Sequence, residues 1–336
     1  MKQYGWGILG PGGIARRFLN DLPRCEQARL AAVNSRSAER GAAFASEYNF
    51  AASYVKTADF LADPDVDIVY MATPHPLHLD LTMQCLEAGK AVLCEKPITV
   101  NAVQCREMID CARRNKQFLM EGMWTRFFPV NRKIKQLLES GALGRITLMQ
   151  IDFGFGQWSG GKVSDPKARL FAPELAGGSL MDVGVYCVSY AAFLKGENPA
   201  AVTSQATMVE TGVDGMCSTL LKYKDGAQAM LVSSIVQSTR QLAVIYCEKG
   251  RIEVPDFWHP SQAKVYYNDA DREDEDIHIP FDQDGASGFH FEAETVMKCL
   301  DQGLIQSPEM TWDQSQAVME TLDEIRGCIG LRYPFE

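Results

Sequence analysis

The chain has no C-x-x-C pair, and its ten cysteines and five histidines fall at no zinc-ligand spacing, so no metal is expected. It has no basic excess. Thirty-three Lys and Arg stand against 43 Asp and Glu, a net charge of −10 that argues against nucleic acid or an anionic membrane as partner. It shows no apolar run of membrane-spanning length, since the most apolar helical pattern, Val183 to Leu194, is too short. Glycine and proline interrupt any signal-peptide core in Met1 to Ala15, and Arg16-Arg17 follow directly. The scattered cysteines suit a reducing compartment, where Cys serves as a small hydrophobe, and a cytoplasmic location is expected. Low-complexity linkers and internal repeats are also missing. The densest acidic run, Asp269 to Asp276, reads as a solvated hairpin tip.

Against these absences stands Gly7-Ile-Leu-Gly10-Pro-Gly12-Gly13-Ile14-Ala15, directly behind a short apolar strand. Gly10, Gly12 and Ala15 fit the G-x-G-x-x-G/A turn of a dinucleotide site. Gly10 allows the tight turn, Gly12 lets backbone approach a pyrophosphate, and Ala15 lets the following helix pack close. That helix, Ile14 to Leu22, points the amides at its start (Gly13, Ile14) and its positive dipole end at phosphate. The second strand then lacks something telling. It ends Val33-Asn34-Ser35-Arg36, with no carboxylate for a ribose 2′-hydroxyl but with a hydroxyl and a guanidinium suited to a 2′-phosphate. Arg36 is either that phosphate ligand or a solvated loop arginine. The missing carboxylate favours NADP over NAD, with NAD still possible.

At 336 residues two domains are expected, divided as 1–122 and 123–336. The first alternates strands and helices at βαβ spacing, which predicts an α/β fold with a doubly wound parallel sheet covered on both faces. Its elements include a helix from Ser37 to Tyr48 capped by Ser37, strands at Asp67–Met71, Ala91–Cys94 and Gln117–Met120, and helices at His78–Ala88 and Val100–Asn115. Beyond Gly122, strands from Ile146 to Val254 with glycine turns predict an α+β domain around a large, open, mainly antiparallel sheet. Helices Phe289–Gln302 and Thr311–Gly327 close the chain. An open apolar sheet face is an association surface, so a homodimer or dimer of dimers is expected.

Thr73-Pro74-His75-Pro76-Leu77-His78 and Cys94-Glu95-Lys96-Pro97 both follow Rossmann strands, at the carboxyl ends where ligands bind. His75 and His78 stay open between cofactor contact and a capping or packing role. Lys96 is a cation braced by proline, and Glu95-Lys96 is otherwise a surface ion pair.

The glycine turn, the T-P-x-x-L-H segment and Glu95-Lys96-Pro97 together resemble the glucose–fructose oxidoreductase / inositol dehydrogenase (Gfo/Idh/MocA) family over essentially the whole chain. Glu121-Gly-Met-Trp124-Thr-Arg126-Phe-Phe-Pro129, Gly177-Gly178-Ser-Leu-Met-Asp182-Val-Gly-Val-Tyr186 and Lys249 to Trp258 are similar to its dihydrodiol dehydrogenase and NADP-linked xylose dehydrogenase branch. The resemblance implies a Rossmann domain, an oligomer-forming second domain and a catalytic Lys96. Where the family commonly has Asp-x-x-x-His, this chain has Asp182-x-x-x-Tyr186. Residues at i and i+4 share a helix face, so both side chains are expected to project together. A free tyrosine with a pKa of about 10 is a weak base, and an ammonium such as Lys96 favours its phenolate. Asp182 is expected to bind a substrate hydroxyl or orient Lys96. Otherwise Tyr186 is a core aromatic.

Trp124, Phe153 and Phe155 are either walls of a substrate cleft or inter-domain core, and Arg169 is placed within reach of substrate or cofactor. The Gly177-Gly178 pair suits close approach of backbone to ligand. The expectation is an NADP(H)-dependent oxidoreductase acting on a secondary alcohol of a sugar, polyol or trans-dihydrodiol. An eliminase or glycosidase that retains its cofactor, or a non-catalytic NADP(H) sensor, are the alternatives.

Overall fold

Every residue of Tyr4–Leu9 (β1) is buried, as a strand covered on both faces must be. β1 pairs in parallel with Ala28–Asn34 (β2) on one side. After Gly13–Asp21 (α1) and Ala38–Tyr48 (α2) come Ala52–Tyr54 (β3), Thr57–Ala62 (α3) and Ile68–Met71 (β4). The chain goes on through His78–Glu87 (α4), Ala91–Glu95 (β5), Ala102–Asn115 (α5) and Leu119–Gly122 (β6). The six strands form a sheet in the order β3-β2-β1-β4-β5-β6, all parallel. The order reverses between β1 and β4, and the carboxyl ends of those strands are where such a sheet takes a ligand. The computed structural model describes residues 2–281 and 285–336.

A second sheet follows Pro129–Glu139 (α6). Its strands are Ile146–Gly154 (β7), Ala201–Met208 (β8), Asp214–Lys222 (β9), Gln228–Ser234 (β10), Leu242–Cys247 (β11), Gly250–Pro255 (β12), Gln262–Tyr267 (β13) and Glu275–His278 (β14). They order as β14-β13-β12-β11-β7-β10-β9-β8. Only the β7–β10 pair is parallel. Burial alternates along β9 and β10, so Leu221 and Leu231 face inward while Leu220 and Met230, paired across the strands, face outward. Val185–Lys195 (α7) lies between β7 and β8 in sequence and packs on β7 and β10. Pro173–Lys195 has the length and hydropathy of a membrane span, but 89 % of its most apolar window is buried, as in a core helix. His290–Asp301 (α8) and Trp312–Ile329 (α9) end the chain.

The chain divides into two compact units. One comprises Met1–Thr99, Val103–Trp124 and Asp282–Ser315, and the other takes the remainder. The return of 282–315 to the first unit has a physical cause. The buried Asp21 carboxylate accepts from the amides of Ser287 and Phe289, satisfying donors at the start of α8. Phe289 stacks on Trp124, with ring centroids 4.3 Å apart. Elements absent from the sequence reading are the short β3 and α3, whose few residues carry little periodicity, and the strands β13 and β14, of which only the hairpin tip is read. The acidic run from Asp269 does form an exposed turn, but its end belongs to β14.

Candidate functional site

In the first unit, β1 ends at a turn where Gly10 has φ +98° and a Cβ would lie 2.9 Å from Ala72 O, so glycine is required by both torsion and space. Gly12 is the N-cap of α1 and Gly13 its first residue. A Cβ at Gly12 or Gly13 would meet no close protein atom, so the room above them is left for a ligand. Ala15, in the first turn of α1, is fully buried. A cavity of about 500 Å³ opens here, walled by Gly10, Gly12, Ser35, Arg36, Arg40 and Thr73. Ser35 is buried, whereas the guanidinium-bearing Arg36 and Arg40 are exposed at its rim. Pro74 also lines it. The fit to a dinucleotide is good: a turn without side chains, the start of a helix and two arginines converge on one space. Ser37 accepts from Arg40 N and caps α2 as the sequence implies, fixing where Arg40 starts from.

His78 does something other than face this cavity. It is fully buried, with Nδ1 3.0 Å from Pro97 O and Nε2 2.9 Å from Thr73 O. Burial lowers its pKa, with the charge on Lys96 pushing the same way and the backbone carbonyls of Thr73 and Pro97 pushing against it. It ties the two strand-end loops together, the packing role that the sequence leaves open beside cofactor contact. His75 is nearly buried beside it, with ring centroids 5.7 Å apart. Below Lys96, which is partly exposed, Glu95 accepts from the Tyr70 hydroxyl. Glu121 accepts from Ile98 N (3.1 Å) and from Ser315 Oγ (2.8 Å). Lys96 therefore stands on a loop braced from several sides, and its peptide bond to Pro97 is cis. Ile14 follows Gly13 in the first turn of α1. Trp124 is 3 % exposed and stacked on Phe289, so in this unit it is packing, not cleft wall.

In the second unit the helix carrying Asp182 and Tyr186 begins with a π-helical turn, Leu180–Gly184, before α7. The sequence pattern suggests a plain α-helix; a π turn takes more residues per turn and is common at functional sites. Asp182 accepts from Arg169 at 2.8 Å. Tyr186 is nearly buried and lies against Phe153 (centroids 5.5 Å) and Trp258 (6.4 Å), which stack on each other at 4.9 Å. Trp258 Nε1 donates to Gln241 Oε1, setting the indole's orientation. Phe155 lies past the end of β7, half-buried, held through its amide to Ser234 O. Gly177 and Gly178 do not make room for a ligand. Their missing Cβ atoms would strike Leu170 O at 2.7 Å and Asp214 Oδ1 at 2.1 Å, and Gly178 has φ +112°. The close approach is to the chain itself.

Residues 4–123 match an oxidoreductase family with an NAD-binding Rossmann fold, and residues 131–253 match the GFO/IDH/MocA C-terminal domain. Trans-1,2-dihydrobenzene-1,2-diol dehydrogenase of Xenopus tropicalis is 36 % identical, covering 98 % of this chain and 99 % of its own length. The chain belongs to the Gfo/Idh/MocA family. It is an oxidoreductase of α/β fold. Among solved structures, an aldose-aldose oxidoreductase from Caulobacter crescentus complexed with glycerol superposes with a TM-score of 0.86 at 27 % identity, covering 97 % of both chains. A 3-ketoreductase from Actinomadura kijaniata in complex with NADP and TDP-benzene matches in fold, with a TM-score of 0.84 at 22 % identity over 98 % of both chains.

For a family member, three residues stand out that sequence reasoning did not single out. Trp258 completes the aromatic cluster; it ends the quoted Lys249-to-Trp258 segment but carries no spacing signal toward Phe153 or Tyr186. Glu121 heads the quoted E-G-M-W segment. Asp214 lies under the glycine pair, where no local pattern marks it.

Proposed function

We propose that the chain moves hydride between NADP(H) and a secondary alcohol or carbonyl of a sugar, polyol or trans-dihydrodiol. The observation that carries this reading is the phenol of Tyr186 beside the stacked Phe153–Trp258 pair, with Asp182 four residues away on the same helix. An aromatic wall suits the apolar face of a cyclic diol or a sugar. When bound, the nicotinamide takes or gives hydride. Tyr186 takes the hydroxyl proton in oxidation and returns it in reduction, and Asp182 binds a neighbouring hydroxyl while Arg169 holds its carboxylate in place. Lys96 is assigned a share in the same proton transfer, a claim tested by double-variant kinetics. Ser35 and Arg36, joined by Arg40, hold the 2′-phosphate, which supports NADP over NAD. Gly10, Gly12, Gly13, Ile14, Thr73, Pro74, His75 and Glu95 line or brace the dinucleotide's path.

Support for a homodimer comes from the outward face of the second sheet, where Leu220 and Met230 are 42 % and 48 % exposed. The ten cysteines carry no disulfide, which supports a cytoplasmic location. The test is a panel of aldoses, polyols and cyclic trans-diols with NADP and with NAD, following absorbance of the reduced nicotinamide. Stoichiometric reduction with NADP supports the reading. Turnover to elimination or hydrolysis products without net absorbance change makes the chain an eliminase or glycosidase, and tight NADP(H) binding with no turnover of any panel member supports a sensor.

A further inference from the structure

The start of the helix that bears Asp182 and Tyr186 is held from below by a residue far along the chain. Asp214, fully buried on β9, accepts through Oδ2 from Ser179 Oγ and from the Leu180 amide, both at 2.7 Å. Leu180 is the first residue of the π-helical turn, and its N–H is one of the donors that such a start leaves without a partner in its own helix. Ser233, on β10, lies 3.0 Å from Ser179 Oγ and serves as donor to it once Ser179 has given its proton to the carboxylate. On the other side Tyr333 donates to Gly177 O at 2.8 Å, and the Gly178 amide donates to Leu170 O at 2.8 Å. Gly178 is obligatory because any Cβ would collide with Asp214 Oδ1. A Cβ on Gly177 would lie 2.8 Å from the carbonyl oxygen of Arg169, whose side chain grips Asp182.

We infer that Asp214 is a positioning residue for the reaction: by capping Leu180 and Ser179 it sets the axial position of the π turn, and so the placement of Asp182 and of the Tyr186 hydroxyl. This rests on the proposed role of Tyr186 in proton transfer. Asp214 Oδ2 is bonded to Ser179 Oγ and to the Leu180 amide, so its effect passes through the turn. Burial raises its pKa to about 6. A misplacement of about 1 Å in a reacting group costs roughly a hundredfold in rate. The substitution Asp214→Asn keeps an oxygen for both donors, whereas Asp214→Ala removes the cap.

The experiment measures kcat, its pH profile and NADP affinity for Asp214→Ala, Asp214→Asn, Ser179→Ala and Tyr186→Phe, and for Asp214→Ala combined with Tyr186→Phe. NADP affinity reads the integrity of the first unit, and near-ultraviolet dichroism that of the second. Asp214→Ala is expected to lower kcat about a hundredfold and to shift the limb of the pH profile assigned to Tyr186. Asp214→Asn restores both to within a few-fold, and Asp214→Ala adds little once Tyr186→Phe is present. Ser179→Ala, which removes one of the two donors, loses kcat several-fold with its dichroism unchanged and carries the test if Asp214→Ala does not fold. Equal losses in Asp214→Ala and Asp214→Asn overturn the inference, because charge and not capping then matters. So does normal turnover in Asp214→Ala, or in Ser179→Ala where Asp214→Ala does not fold, beside an impaired Tyr186→Phe. A silent Tyr186→Phe removes the Tyr186 reading itself, and the positioning role with it.

Discussion

Arg169 and Asp182 form a charge-assisted hydrogen bond of 2.8 Å within the second unit, with the arginine side chain 44 % exposed and the aspartate 11 %. The sequence places them separately, Asp182 on a substrate hydroxyl or on Lys96 and Arg169 on substrate or cofactor, yet the pair is one device in which the guanidinium holds the carboxylate in place. A half-exposed pair adds little to stability, at most about 1 kcal/mol. Arg169→Ala should therefore leave the thermal midpoint within a few degrees while lowering kcat/KM for the alcohol about ten- to a hundredfold. Steady-state kinetics beside a melting curve check both parts. A large fall in melting temperature with unchanged kcat/KM contradicts this account of the pair.

Cofactor choice is tested at the cavity rim. Arg36→Ala removes one charge-assisted contact to a 2′-phosphate, worth roughly 1.5–3 kcal/mol, so NADP affinity should fall about ten- to a hundredfold. NAD affinity should stay where it is. Titrating both dinucleotides by fluorescence gives the two constants, and equal affinity of the wild type for NAD and NADP refutes the NADP assignment.

Much of the first unit's cavity is legible in the sequence because its signals are local. The turn from Gly10 to Ala15, the missing carboxylate before Arg36 and the Ser37 cap each sit within one or two elements. What is illegible depends on distant pairings. Trp258 meets Phe153 only through the pairing of strands far apart in the chain, and Asp214 explains Gly178 only when β9 lies under the turn. Gly177-Gly178 looks like a ligand cradle because the composition is the same whether the neighbour is a ligand or a carbonyl. The π turn at Leu180 leaves the i,i+4 pattern unchanged and so leaves no trace in it. His78 shows the same limit: a polar residue after a strand reads identically whether it faces solvent, cofactor or two buried carbonyls.

Glu292, on α8, supplies a pH test. It is fully buried, neither side-chain oxygen has a hydrogen-bond partner among the described residues, and Oε2 lies close to Gly122. Burial first, and the charge of Glu95 second, push its pKa well above the usual carboxylate range. A carboxyl whose folded pKa is raised binds its proton more tightly in the native state. Its stabilisation is complete below the unfolded pKa of about 4.3 and is lost as pH rises through the folded value. Glu292→Gln, which mimics the neutral acid, should match wild type in melting temperature at about pH 4 and exceed it by a few degrees at about pH 8. A variant that melts lower at both values shows that the ionised carboxylate is the stabilising form.

The sheet face that carries the Leu220–Met230 pair predicts the assembly state. Met230→Asp places a charge at the middle of that face without touching the inner core, where Leu231 and Ala229 lie. Sedimentation at micromolar concentration should show wild type as a dimer or larger and the variant as a monomer with unchanged NADP binding. A monomeric wild type removes the interface.

Lys96 and Tyr186 are assigned to one proton transfer, so their losses should not add. Lys96→Met and Tyr186→Phe should each cost most of kcat, and the double variant little more than the worse single. Residual activity of Lys96→Met should rise with pH as the phenolate becomes accessible. Fully multiplicative losses mean the two residues serve separate steps.

The most direct test of the whole account is the turnover of Tyr186→Phe. The substitution keeps the ring and its packing on Phe153 and Trp258 while deleting the proton-transfer group. A general acid–base contribution is about 10²–10⁴-fold, so kcat in the absorbance assay should fall by that factor while NADP affinity barely moves. Near-normal kcat in Tyr186→Phe, with a substrate that the wild type oxidises, would show that the tyrosine is structural and that another group carries the proton.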